Sequence, residues 1–128
     1  MRLLLDTNSL VWVSDPKKSK SLGKQAVRQI KSADVIYFSS VSMAELTVKS
    51  MMGKIKKVSA KQAIECGLLE LHFTSLHAEA ISNFQSLVRH DPFDRMLLAQ
   101  ALVEGATFLT SDRALLDLGL PYVVDATE

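Results

Sequence analysis

The chain opens Met1-Arg2-Leu3-Leu4-Leu5-Asp6-Thr7-Asn8, a run of leucines that stops at a carboxylate. A short continuous apolar run, without the alternation of a strand wetted on one face, is the pattern of a strand covered on both faces in a parallel sheet. Asp6 then marks the carboxyl end of that strand, Arg2 to Leu5. Open α/β sheets bind their ligands at this edge. The pattern returns near the far end of the chain, where Thr107-Phe108-Leu109-Thr110 leads into Ser111-Asp112.

Two more runs read as strands. Val35-Ile36-Tyr37-Phe38 is β-branched and aromatic and is closed by Ser39-Ser40, and Pro121 to Val124 forms the last. Helical patterns lie between them. Thr7 or Asn8 caps a short helix through Val13, which Asp15-Pro16 ends because the residue before proline avoids helical dihedrals. Ser21 to Ala33 is amphipathic, with Leu22, Ala26, Val27 and Ile30 on one stripe and Lys24, Arg28 and Lys31 opposite. A helix from Val41 to Met52 ends at Gly53, and Lys54 to Val58 is a basic connector. Ser59-Ala60-Lys61-Gln62 has a capping-box pattern and opens a helix through Leu71. His72 to Thr74 is extended and precedes a helix from Ser75 to Val88. Asp91-Pro92-Phe93-Asp94 starts the next helix with an acidic cap, proline at the first position and an acid in the first turn; Gly105 ends it. Arg113 to Leu118 is a short helix. Strands separated by helices imply parallel pairing through right-handed crossovers, hence an α/β fold. With no repeat or linker, residues 1–128 read as one domain.

Composition narrows the function classes. A net charge of +1 removes any argument from overall polarity, so a nucleic-acid partner must be sought in local patches. Two basic stretches offer phosphate contacts: Lys17, Lys18, Lys20, Lys24, Arg28 and Lys31, and then Lys49, Lys54, Lys56, Lys57 and Lys61. Cys66 is the sole cysteine, which excludes an intrachain disulfide and a cysteine zinc site and suits a reducing, cytoplasmic setting. The opening leucines are too few for a signal-peptide core. No run approaches the roughly 18 apolar residues of a membrane span.

The acids sort by position. Asp6 and Asp112 follow their strands, Glu45 lies on the first turns of the helix leaving the same edge, and Asp34 precedes its strand and falls on the opposite edge. Asp91 and Asp94, three residues apart, share a helix face. Carboxylates brought together uncompensated repel by about 4 kcal/mol per pair at 4 Å in an effective dielectric near 20. Such a cluster either holds protons or binds a cation. All-oxygen ligands suit Mg²⁺ or Mn²⁺ better than zinc. That chemistry points to metal-assisted phosphodiester hydrolysis, with Thr7, Asn8, Thr110 and Ser111 supporting the carboxylates. Each acid also has a plainer role available. Glu45 completes a Ser42-x-x-Glu45 capping box, Asp91 is an N-cap, Asp94 a first-turn charge and Asp112 a cap for the Arg113 helix; Asp6 has the weakest capping case. His72, His77 and His90 lack metal-type spacing and read as surface or structural. Trp12, Phe38, Phe73, Phe84 and Phe93 read as core or interface, because no aromatic pair at strand spacing forms a stacking platform. Cys66 reads as small and buried, Met43, Met51 and Met52 as gap fillers or part of a partner groove, and Arg95 as a phosphate contact or an ion-pair partner.

Four segments together resemble the PIN-domain family, and within it the VapC-like toxins of toxin–antitoxin pairs. They are Leu4-Leu5-Asp6-Thr7-Asn8, Ser42-Met43-Ala44-Glu45-Leu46, the stretch from His90 through Asp91-Pro92-Phe93-Asp94-Arg95 to Ala101, and Leu109-Thr110-Ser111-Asp112. The resemblance implies a three-layer α/β/α sandwich with a central parallel sheet and Mg²⁺- or Mn²⁺-dependent ribonuclease activity. It places the acids at Asp6, Glu45, Asp94 and Asp112, with polar support from Thr7, Asn8 and Thr110. It also implies a homodimer and a cognate antitoxin protein. Two alternatives stay open on the residues: phosphoryl transfer through an aspartyl intermediate on Asp6, which lacks an acid two positions on, and a non-catalytic RNA-binding module.

Overall fold

The computed structural model describes residues 1–55 and 58–128; Lys56 and Lys57, counted above in the second basic stretch, lie outside the described residues. Five strands form one parallel sheet: β1 (Arg2–Leu5), β2 (Val35–Ser39), β3 (Leu69–Leu71), β4 (Thr107–Thr110) and β5 (Val123–Asp125), in the order β3-β2-β1-β4-β5. β1 is central. Leu3, Leu4 and Leu5 are fully buried, as the unbroken leucine run requires, and each contributes about 1.5–3 kcal/mol through that burial.

Strand pleating sends neighbouring side chains to opposite faces, and the two cores follow that alternation. Leu4 and Phe108 pack on one side with Leu97, Leu98, Ala101 and Leu115; Leu5, Phe38 and Leu109 pack on the other with Leu10, Ala26, Leu46, Ala63 and Leu68. The first core is covered by α5 (Ser75–Ala80), α6 (Pro92–Glu104) and α7 (Arg113–Leu116), the second by α1 (Thr7–Ser14), α2 (Lys24–Ser32) and α4 (Ala60–Glu65). From β1 the chain steps outward to β2 and β3, then crosses back to β4 and β5. Right-handed crossovers running in opposite directions place their helices on opposite faces. The result is a three-layer α/β/α sandwich whose strand order reverses beside β1. α3 (Ser40–Met51) leaves the carboxyl end of β2 and gives Val41 to one core and Leu46 to the other.

Several boundaries differ from the sequence expectation, each for a local reason. The helix expected from Ser59 to Leu71 stops at Glu65. Gly67 adopts φ +88, a left-handed turn that a side chain resists, and Leu69–Leu71 then pair with Tyr37–Ser39 as β3. The helix expected from Ser75 to Val88 ends at Ala80 and gives way to two 3₁₀ turns, Ile81–Asn83 and Gln85–Leu87. Phe84 leaves helical dihedrals at φ −116, ψ 58, and it and Leu87 are drawn into the core. α2 starts at Lys24, behind a 3₁₀ turn at Ser19–Ser21, and Cys66 is exposed rather than buried. Gly105 closes α6 in the left-handed region, as expected. Among the described residues, no helix is long and apolar enough to cross a membrane.

Candidate metal centre

Asp6 continues the ladder beyond β1, its N–H donating to the Leu109 carbonyl at 2.9 Å, and then turns the chain into α1. It is Asp6 itself, and neither Thr7 nor Asn8, that caps this helix: Oδ1 accepts from the Ser9 N–H at 2.7 Å. The other oxygen, Oδ2, accepts from the Thr110 hydroxyl at 2.7 Å and the Ser111 N–H at 3.3 Å. Burial pushes the Asp6 carboxyl above its usual range, and these hydrogen bonds only partly offset it. Thr110 does double duty, because its oxygen also accepts from the Asp112 N–H at 3.0 Å. One hydroxyl thereby fixes the spacing between the acids that follow β1 and β4.

Glu45 reaches the same place from α3. Its capping role is excluded, because Ser39 caps α3 by accepting from the Val41 N–H at 3.0 Å and leaves Glu45 in the second turn. Glu45 is only 3% exposed. Thr7 donates to its Oε1 at 2.5 Å, and Lys49, one turn further along α3, sits 2.6 Å from Oε2. That hydrogen bond holds the Lys49 ammonium above its usual range despite partial burial.

Asp91 caps α6 by accepting from the Phe93 N–H at 2.8 Å, with Pro92 at the first helical position, so Asp94 projects from the first turn. Asp112 caps α7 through Oδ1 and the Ala114 N–H at 2.8 Å. Its other oxygen faces His90, whose Nε2 is 3.1 Å from Asp112 Oδ2 and 3.4 Å from Asp94 Oδ2. One ligand atom each from His90, Asp94 and Asp112 lie within 4.8 Å of one another. Burial, then the neighbouring charges of Asp112, Asp91 and Glu45, push the Asp94 carboxyl up to about 8. Burial also acts against the charge on Asp112, but hydrogen bonds from Asp94, His90 and the Ala114 amide outweigh it and hold that carboxyl below its usual range. The two acids therefore share one proton at neutral pH.

Asp6, Thr7, Asn8, Glu45, Lys49, Asp91, Asp94 and Asp112 line one cavity of 90 Å³. A larger cavity of 320 Å³ lies elsewhere, between α2 and β5, and holds none of these acids. The four acids expected from sequence surround one cavity with Asp91, and all four expected supporting residues adjoin it: Thr7 and Asn8 in its wall, Thr110 and Ser111 on Asp6. Asp34 lies at the amino end of β2, on the opposite edge. Two neighbours escaped the sequence reading. His90, set aside for lack of metal-type spacing, stands between Asp94 and Asp112; its only local signal is its position four residues before Asp94. Lys49, counted merely as part of a basic stretch, pairs with Glu45 at the ordinary i, i+4 spacing.

The donor set suits a hard divalent cation. Carboxylate oxygens dominate it, and the Asp94 carboxyl, pushed up to about 8 first by burial and then by the acids around it, sits in a cluster short of positive charge. A family model, PIN domain, matches residues 3–119. The chain belongs to the PIN domain family. PIN domains are typically metal-dependent nucleases that hold a divalent metal through acidic residues. None of the curated proteins compared with the chain matches it. Among solved structures, the chain is similar to VapBC-1 from nontypeable Haemophilus influenzae, at 17% identity, full coverage of both chains and a TM-score of 0.66. VapBC2 from Rickettsia felis, solved bound to a DNA fragment from its promoter, aligns at 19% identity over 98% of this chain and 97% of that one, with a TM-score of 0.62. Mycobacterium tuberculosis VapC20, described as a sarcin-ricin loop cleaving toxin, aligns at 18% identity over 94% and 98%, with a TM-score of 0.55. At these identities the likeness is one of fold: this PIN domain shares the architecture of toxins solved in toxin–antitoxin complexes.

Proposed function

We propose that this PIN domain is a Mg²⁺- or Mn²⁺-dependent endoribonuclease, the toxin of a toxin–antitoxin pair, with the cation held by Asp6, Glu45, Asp94 and Asp112. The observation that carries this reading is the convergence of those four carboxyl groups, from β1, α3, α6 and the turn after β4, on one cavity at the carboxyl edge of the sheet. When bound, the cation lowers the pKa of a water and offsets charge building on the phosphate. The protein's part is positioning. Thr110, Ser111 and the Ser9 amide orient Asp6, and Thr7 and Lys49 orient Glu45. Asp94 must give up its proton for the full set to bind.

The substrate is RNA. The partners are a cognate antitoxin protein, as in the complexes of similar fold, and a second copy of the chain; residues 1–128 act as one domain in the cytoplasm. Asp6 is 4% exposed and both its oxygens accept hydrogen bonds, which leaves a poor nucleophile and argues against an aspartyl-phosphate route. Incubating purified protein with a labelled RNA and Mn²⁺ tests the proposal. Wild type should cleave, and Asp6→Asn and Asp94→Asn should lose cleavage while keeping their circular dichroism. Undiminished cleavage by either variant would sink the site assignment. The pairing of Glu45 with Lys49 favours a second reading, in which the acids balance internal cations and the domain binds RNA without turnover. RNA retention without products, at any divalent metal concentration, is its signature.

A further inference from the structure

Beside the acidic cavity lies another of 140 Å³, and the two share a wall of Thr7, Asn8 and Lys49. The remaining sides are Val11 and Trp12 of α1, Lys18 beyond its end, Leu46 of α3, and Ile55. The chemistry changes across the shared wall. One side is carboxylate; the other joins an aromatic and aliphatic floor to two ammonium groups. Trp12 packs on the core with one part of its surface and lines the cavity with another, so the core role expected from sequence leaves part of the indole available. Lys49 stands on the boundary, anchored 2.6 Å from Glu45.

The geometry points to a nucleotide subsite in this second cavity: the residue flanking the scissile phosphate of a single-stranded RNA sets its base against Trp12 and its phosphate toward Lys18 and Lys49. The inference rests on the ribonuclease reading and adds where the strand lies. A metal ion would find two lysines and no carboxylate in the lining, and an apolar peptide would cover the floor while offering no anion to Lys18. A nucleotide answers both requirements, because it carries a flat apolar ring and an anion on one unit. The strand must be single, since a paired base has no free face for the indole.

Trp12 is the sole tryptophan of the chain, so its emission reports on this cavity directly. The full chain is titrated with hexauridylate in Ca²⁺, and cleavage of the same RNA is measured separately in Mn²⁺. A saturable change in Trp12 emission is expected. By anisotropy of a labelled RNA, Trp12→Leu should weaken binding about tenfold to a hundredfold, while keeping the wild-type thermal shift with Mn²⁺. Lys18→Gln, at an exposed position outside the acidic cavity, should reduce the salt slope of log K by about 0.7. Cleavage with no change in emission, or wild-type affinity and salt slope in both variants, overturns the subsite and leaves the ribonuclease reading standing. A saturable, salt-sensitive response with no cleavage in any divalent metal supports the subsite and removes the catalytic reading. Emission that moves with a leucine-rich peptide and not with hexauridylate overturns the nucleotide assignment. If Trp12→Leu fails to fold, wild-type emission and Lys18→Gln still decide.

Discussion

Replacing Asp94 by asparagine should stabilise the metal-free protein at alkaline pH and leave its stability almost unchanged near pH 4. The asparagine side chain has the shape of a protonated aspartate and cannot ionise. In the wild type, Asp94 keeps its proton up to about 8 because of burial and the charges of Asp112, Asp91 and Glu45. An acid whose folded value is raised contributes stability that is complete below its ordinary 3.8 and is lost as pH rises through about 8. At pH 9 the wild type therefore carries a full charge on Asp94 beside Asp112, with ligand oxygens no more than 4.8 Å apart. In an effective dielectric of 20 that repulsion is about 3 kcal/mol. For a chain of this length it corresponds to a melting-temperature gain of about 10 °C for Asp94→Asn at pH 9. The gain builds as pH rises from the ordinary 3.8 to about 8, so near pH 4 the difference should shrink below about 1 kcal/mol.

The assay is thermal unfolding followed by circular dichroism in EDTA at both pH values. His90, Lys49 and the other titrating neighbours are present in both proteins, so the difference between the two pH dependences isolates Asp94. Asp112→Asn supplies a control of opposite sign. The Asp112 carboxyl is held low by Asp94 and His90, so its contribution is present at neutral pH and is lost on acidification, and removing its charge should destabilise. An Asp94→Asn difference that is equal at pH 4 and pH 9, or a loss of stability at pH 9, would refute the shared-proton account.

Three further outcomes test the same framework. Mn²⁺ at about a hundred times its dissociation constant should stabilise the wild type by about 2.7 kcal/mol, with the shift fading below about pH 8 as Asp94 takes up its proton; identical shifts in Asp6→Asn and Asp94→Asn would show that the ion binds elsewhere. Thr110→Val keeps the shape but removes the hydroxyl between Asp6 and the Asp112 amide, so urea unfolding should record a loss of about 1–3 kcal/mol, and calorimetry an Mn²⁺ affinity about tenfold to a hundredfold weaker. Gly67→Ala should cost about 1–2 kcal/mol through backbone strain alone, since nothing lies within 4 Å of the added methyl group, and an unchanged denaturation midpoint would contradict the left-handed turn that creates β3.

What could be read from the sequence was whatever a local pattern determines. The leucine run, cut short by Asp6, read as a strand buried on both faces, and β1, the acid at its end and the parallel sheet followed. Asp91-Pro92-Phe93-Asp94 carried a helix start in four residues. β3 was hidden because Leu69-Glu70-Leu71 has no strand signal of its own; pairing with β2 makes it extended. The helix expected through Val88 failed where the core drew in Phe84 against helical dihedrals. His90 was set aside because its meaning depends on Asp112, 22 residues away, with no periodicity linking them. Asp6 was judged the acid with the least claim to capping, yet it caps α1 with one oxygen and faces Thr110 with the other, a division of labour between two oxygens that no residue pattern expresses.

The Thr110 hydroxyl on Asp6 spans 104 residues of chain. β1 leaves the ribosome long before β4, so its pairing with β4 and the spacing of Asp6 from Asp112 must wait until β4 has been synthesised. Contacts of such separation form late, after the loop between them has closed. A nascent or truncated chain ending before Thr107 has Asp6, Glu45 and Asp94 but lacks the strand that gathers them. If the domain cleaves RNA as proposed, its acids would stay ungathered until β4 emerges, with the order of the strands acting as the delay.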